Sequence, residues 1–71
     1  MSEHRRNVAL AVKIAEDGRP KYAIAAAARL NPSTFAGVLS GRVIPTSAVR
    51  VRIALAVGAD EHALFYDEVS A

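Results

Sequence analysis

The residues of this chain that could do chemistry are mainly cations and hydroxyls. Arg19, Lys21, Arg29, Arg42, Arg50 and Arg52 fall in residues 18–59, a block without a single acidic side chain. Asp60, Glu61, Asp67 and Glu68 follow in a stretch without a base, while residues 1–17 carry both signs in balance. The formal net charge of +2 therefore conceals a segregated positive charge. Clustered Lys and Arg attract phosphate and release its counterions, so the block suggests an anionic partner such as nucleic acid. The plain alternative is a solvated face with no partner. Nucleophilic and metal chemistry have little to work with, because there is no cysteine and His4 and His62 lie at opposite ends of the chain. No Ser/His/Asp or Cys/His set and no carboxylate pair converges within one core, so an enzyme is the least expected class. No metal and no cofactor are expected.

Whatever positions these groups must be small. A chain of 71 residues makes one domain, residues 1–71, with no room for a separate sensor, so no small-molecule ligand is expected. Hydrophobic residues are 52% and charged ones 23%, with four Gly and three Pro, which argues for a folded protein. The apolar supply is mostly Ala against two Phe and two Tyr, so any core depends on helices packed closely without disulfides. The charged start Met1-Ser2-Glu3-His4-Arg5-Arg6 precedes no uninterrupted apolar run of export or membrane-spanning length. A cytoplasmic protein with no membrane partner is expected, in the bacterial cytoplasm or nucleoid.

Helical spacing and punctuation predict five helices and no strand, an all-α fold. Val8, Ala11, Val12 and Ala15, with Leu10 and Ile14 beside them, predict a first helix from about Ser2 to Glu16, capped by Ser2 and closed by Asp17-Gly18. Pro20 opens a second helix through the Ala-rich run Tyr22 to Ala28, which must stop near Leu30-Asn31 ahead of Pro32. Asn31 as cap and Pro32 at the first helical position begin a third, to about Ser40, closed by Gly41. Thr46 or Ser47 caps a fourth, to about Val57, whose stripe is Val49, Ile53, Ala56 and Val57, with a stop at Gly58. Asp60 caps a short fifth through Tyr66, and residues 67–71 read as a frayed tail. Ile24, Ala25, Leu30, Phe35, Val38, Ile53 and Val57 are expected in one core.

Two short helices joined by a tight turn, the second starting at a capped proline, make a helix-turn-helix over about residues 20–41. Ile24-Ala25, Ala28, Leu30-Asn31-Pro32-Ser33-Thr34-Phe35, Val38, Gly41, Pro45, Arg52-Ile53-Ala54-Leu55-Ala56-Val57-Gly58 and Leu64-Phe65 occur in an order that resembles the phage Cro and repressor-like (XRE-type) helix-turn-helix superfamily. The likeness covers about residues 20–65. It departs from the family pattern at three places. Arg29 stands where relatives usually have the turn Gly, a substitution costing on the order of 1–2 kcal/mol if the left-handed conformation is kept. Arg19 replaces a buried aliphatic between the first two helices, which points to a remodelled junction. The third helix offers Pro32, Ser33, Ala36, Gly37 and Ser40 where relatives often carry Gln, Asn, Lys or Arg.

The resemblance implies a compact five-helix domain whose third helix lies in the major groove of double-stranded DNA. By that likeness Ser33 and Thr34 would contact base edges, with Ala36 and Gly37 facing the groove wall, where small side chains allow close approach or a thymine-methyl contact. Lys21, Asn31, Ser40, Arg42, Thr46 and Ser47 match positions that hold phosphates, fixing register without reading sequence. Relatives usually dimerise on two half-sites, so a homodimer at least on DNA is expected, with Leu64, Phe65, Tyr66 and Val69 as the candidate contact.

Blander readings stand beside these. Ser33 and Thr34 can be an ordinary helix start, Lys21 and Arg42 solvated charges, and His62 a surface residue. Arg50 and Arg52 are expected to be structural, the Ala25 to Ala28 run core, and Tyr22, Phe65 and Tyr66 core or interface residues. Two function classes follow. One is a small bacterial or phage transcriptional regulator that binds specific double-stranded DNA and acts by occupying a promoter or operator. The other is a protein-interaction module, an antitoxin or assembly adaptor, whose third helix buries its Ala/Gly surface on a protein. The acid-free basic block favours the first, and the polar poverty of the third helix supports the second.

Overall fold

Asn7 sets the start of the first helix. Its Oδ1 accepts from the Leu10 amide at 2.9 Å, the N-cap arrangement for which Asn is among the preferred residues. The computed structural model describes residues 7–65, so Ser2 lies outside the described residues. Asn7 itself is extended, at φ −84° and ψ 94°, and the helix therefore begins behind it instead of running on from Ser2. Helices α1 (Val8–Asp17), α2 (Lys21–Ala27), α3 (Pro32–Ser40), α4 (Ser47–Val57) and α5 (Glu61–Phe65) follow in order, with no strand among the described residues. The Asn7 backbone amide donates to Leu39 O and its side-chain Nδ2 to Leu64 O, both at 3.0 Å, so one residue joins the ends of α1, α3 and α5.

The buried face of α1 is not the expected stripe. Leu10 and Ile14 are fully or nearly buried, whereas Val8 is 64% and Val12 50% exposed. The two sets have the same four-residue spacing displaced by two residues, which puts them on opposite sides of the helix. Spacing alone could not choose between them, and the bulkier pair occupies the core. Around it pack Ile24, Ala25, Ala28, Phe35, Val38, Ile53 and Val57, joined by Leu39, Ala54 and Leu64. Leu30 is only partly buried against this cluster. Tyr22, expected in a core or interface, is instead 69% exposed on α2.

Capping chemistry sets the remaining boundaries. Asn31 Oδ1 accepts from the Ser33 amide at 2.8 Å, with Pro32 at the first helical position. Thr46, not Ser47, caps α4 through a 3.2 Å bond from the Val49 amide, and Asp60 Oδ2 accepts from the Ala63 amide at α5. At the end of α2, the Leu30 amide reaches Ala25 O and the Arg29 amide reaches Ala26 O, the pair of bonds that closes a Schellman turn. Arg29 holds the left-handed position of that turn at φ 61°.

Arg19 remodels the α1–α2 junction. Its guanidinium chelates Asp17, Nε to Oδ1 at 2.6 Å and Nη2 to Oδ2 at 2.9 Å, and Nη2 also donates to Ala56 O at 2.6 Å. An exposed clasp from α1 to the end of α4 thus stands where a buried aliphatic was the alternative. The hydrogen bonds from Arg19 lower the Asp17 carboxyl to about 2 and raise the guanidinium in turn. Among the described residues no helix is long and apolar enough to cross a membrane, and no group of His, Cys, Asp and Glu could hold a metal ion.

Candidate functional site

Helix α3 turns Phe35, Val38 and Leu39 inward and leaves Ser33, Thr34, Ala36 and Ser40 exposed. Ser33, Ala36 and Ser40 recur at three- and four-residue intervals and form one narrow strip. Gly37 does not belong to it as a groove-facing residue. It is buried, because the chain after Gly41 folds back and sets Val43 against it. Three bonds hold that return: Gly41 N to Val38 O at 3.2 Å, Val43 N to Gly37 O at 3.0 Å, and Ser40 Oγ to Gly37 O at 3.1 Å. The Ser40 hydroxyl proton is thereby committed to a carbonyl, which removes Ser40 as a ready phosphate donor. A glycine inside a helical pattern signals close backbone approach, and that signal at Gly37 could have been read from the sequence.

The cations divide into two groups. Arg50 donates to Glu61 Oε2 at 3.1 Å and to Pro45 O at 3.0 Å, Arg52 donates to Ala28 O at 3.0 Å, and Arg19 is held by Asp17 and Ala56 O. Lys13 lies 3.9 Å from Glu16. The three arginines are structural, and Arg52 in particular holds the carbonyl of Ala28, the C-cap of α2, beside the turn. Lys21, Arg29 and Arg42 are exposed and form no ion pair within the described residues. They stand at the start of α2, in the turn between α2 and α3, and just after α3. Sequence reasoning singled out Lys21 and Arg42. Arg29 joins them because the left-handed turn leaves its side chain in solvent.

Asn31 uses Oδ1 for capping and keeps its Nδ2 as a donor, while Thr46 keeps its hydroxyl proton and Ser47 is exposed at the start of α4. The expected dimer contact is changed. Leu64 is only 4% exposed and belongs to the core of this chain, so it is unavailable to a partner. Phe65 is half-buried and, with Val43, Ile44 and Pro45, lines an open depression of about 220 Å³. Tyr66 and Val69 lie outside the described residues. His62 is exposed, as a surface histidine would be.

Compared with protein-family models, with curated proteins and with solved structures, the chain shows no significant match.

Proposed function

We propose that this chain is a small transcriptional regulator that binds double-stranded DNA in the manner of Cro and phage repressors. Helix α3 enters the major groove and α2 crosses the backbone. The observation that carries this reading is the division of the cations. Arg19, Arg50 and Arg52 are taken up by carboxylates or carbonyls, and the exposed, unpaired Lys21, Arg29 and Arg42 all flank the α2–turn–α3 unit. A solvated basic face would not need to collect its free charges around one helix pair. Lys21, Asn31, Thr46 and Ser47 serve as phosphate contacts, Ser33 and Thr34 as hydroxyls at base edges, and Ala36 as the close-approach surface. Regulation follows from occupancy of a promoter or operator.

Selection of random duplexes on the purified chain tests this directly and should return a preferred sequence with a half-site spacing. Lys21→Ala should weaken specific and random duplexes alike and reduce the log–log salt slope by about 0.9. Ser33→Ala should lower the ratio of specific to random affinity and leave that slope alone. Gly37→Glu would break packing against Val43, so the groove surface is better tested by Ala36→Glu. That variant should abolish binding to every duplex with helix content unchanged. A parent that binds no duplex at low salt overturns the reading. The second reading, a protein-interaction module, is favoured by the apolar side chains left in solvent, Ile44 at 88% and Leu55 at 76% exposure. Ala36→Glu retaining DNA binding while losing a protein partner would favour it.

A further inference from the structure

Gly37 is the least expected residue in α3, because glycine inside a helix is unfavourable relative to alanine. What uses the missing side chain is the loop that follows. A Cβ at position 37 would fall 2.5 Å from Val43 Cγ2 and 3.1 Å from a guanidinium nitrogen of Arg42. Arg42 therefore lies back across α3, on the flank of the strip formed by Ser33, Ala36 and Ser40. The fold-back bonds from Gly41, Val43 and Ser40 hold the backbone that carries it, and its residue remains exposed. No acidic side chain within the described residues takes up its charge. Pro32, Ser33, Thr34, Ala36 and Ser40, the side chains that α3 itself exposes, contain no planar pair of polar groups of the kind that bidentate base recognition requires. The Arg42 guanidinium is such a group, and it lies against Gly37, beside the strip where those readers are missing.

Resting on the DNA-binding reading above, we propose that Arg42 is the base-reading side chain of this interface and that Gly37 is its positioning residue. The guanidinium fork, laid over Gly37, is directed at O6 and N7 of a guanine in the major groove. A loop arginine thus replaces the polar side chains that α3 lacks, and Lys21, Arg29 and the start of α4 are left to hold phosphates. A phosphate contact by Arg42 would predict the opposite pattern of specificity. So would a purely structural attraction of its charge to the carbonyl end of α3.

The test uses the full chain, a duplex selected from a random pool, every single-base-pair variant of that duplex and a random duplex, each measured over a range of salt. Arg42→Ala should lose about 5- to 150-fold of discrimination at one G·C pair and keep it at the others. Arg42→Lys should keep the parent's salt slope and lose part of the discrimination at that same pair, because an ammonium has no fork. Gly37→Ala keeps the charge and sets a methyl group against Val43 and, less closely, the guanidinium, so the segment that carries Arg42 must shift and discrimination at the same pair should fall with the salt slope unchanged. Circular dichroism checks that each variant is folded, and the exposed Arg42 variants decide the matter if Gly37→Ala is not. Equal weakening of all duplexes by Arg42→Ala, with discrimination intact, overturns the Arg42 assignment alone and leaves the regulator reading standing. A parent that binds duplexes without base preference overturns the Arg42 assignment together with operator recognition, and leaves only non-specific DNA binding standing. A parent that binds no duplex overturns both.

Discussion

Arg29 occupies the left-handed region at φ 61°, the one such non-glycine residue among those described. Helix α4 ends with the same pair of bonds, Ala59 N to Ala54 O and Gly58 N to Leu55 O, and there the left-handed position is Gly58 at φ 68°. A side chain with a Cβ at that position costs on the order of 1–2 kcal/mol, partly offset because glycine leaves the unfolded chain more freedom. Arg29→Gly should therefore stabilise the fold by about 0.5–1 kcal/mol, read as a melting temperature higher by a few degrees. A lower melting temperature would mean that the Arg29 side chain contributes more to the fold than its backbone strain removes. The turn itself was legible from Asn31-Pro32 and the Ala-rich run before it. The strain at Arg29 was legible only through the resemblance, because nothing local in Ala28-Arg29-Leu30 demands a positive φ.

Elements in this fold are tied at their ends by polar side chains that reach across sequence. The Asn7 side chain joins α1 to α5 while its backbone amide reaches α3, Arg52 joins α4 to the end of α2, and Arg19 with Asp17 joins the end of α1 to the end of α4. The last of these gives a pH dependence. Arg19 lowers the Asp17 carboxyl to about 2 from an ordinary value of 3.8. A carboxyl lowered by folding stabilises the fold above its unfolded value, and that stabilisation is lost as pH falls through the folded one. Thermal melts should accordingly show the parent losing stability between about pH 4 and pH 2 more steeply than Asp17→Asn. Identical pH profiles for the two proteins would mean that the clasp contributes nothing in solution. The capping residues at α3, α4 and α5 could be read from the chain, since a cap is a contact within three residues. The Arg19 clasp to Ala56 could not, because its partner carbonyl lies 37 residues away.

At the scale of the whole molecule, Phe35 is 1% exposed and is among the largest fully buried side chains of a core that draws on all five helices. Phe35→Ala should cost roughly 3–5 kcal/mol. A domain of this size has about 4–10 kcal/mol in total, so the variant should lose from about a third of its stability to all of it, read as a much lower melting temperature by far-UV circular dichroism. Leu55 is of similar hydrophobicity but 76% exposed, and Leu55→Ala should change stability by less than about 0.5 kcal/mol. Urea titration of both variants checks the contrast. Comparable losses would place Leu55 in a buried contact of an assembly in solution.

The amino-acid sequence by itself determined the all-helical class, the order of five helices and most of their ends. Proline, glycine and the capping residues act over one or two turns, and those interactions need no partner from elsewhere in the chain. It also marked the segregated positive charge. Tertiary structure alone decided which of two equally spaced apolar sets on α1 is buried, since Leu10/Ile14 and Val8/Val12 satisfy the same period and only packing volume separates them. Packing likewise removed Gly37 from the exposed face of α3 and Leu64 from the free surface. It also sorted the cations. Arg19, Arg50 and Arg52 found acceptors that are distant in sequence or set by the fold, and Lys21, Arg29 and Arg42 were left around α2 and α3. Charge is a property of composition, but whether a charge is free depends on which carbonyls and carboxylates the packed helices bring within reach.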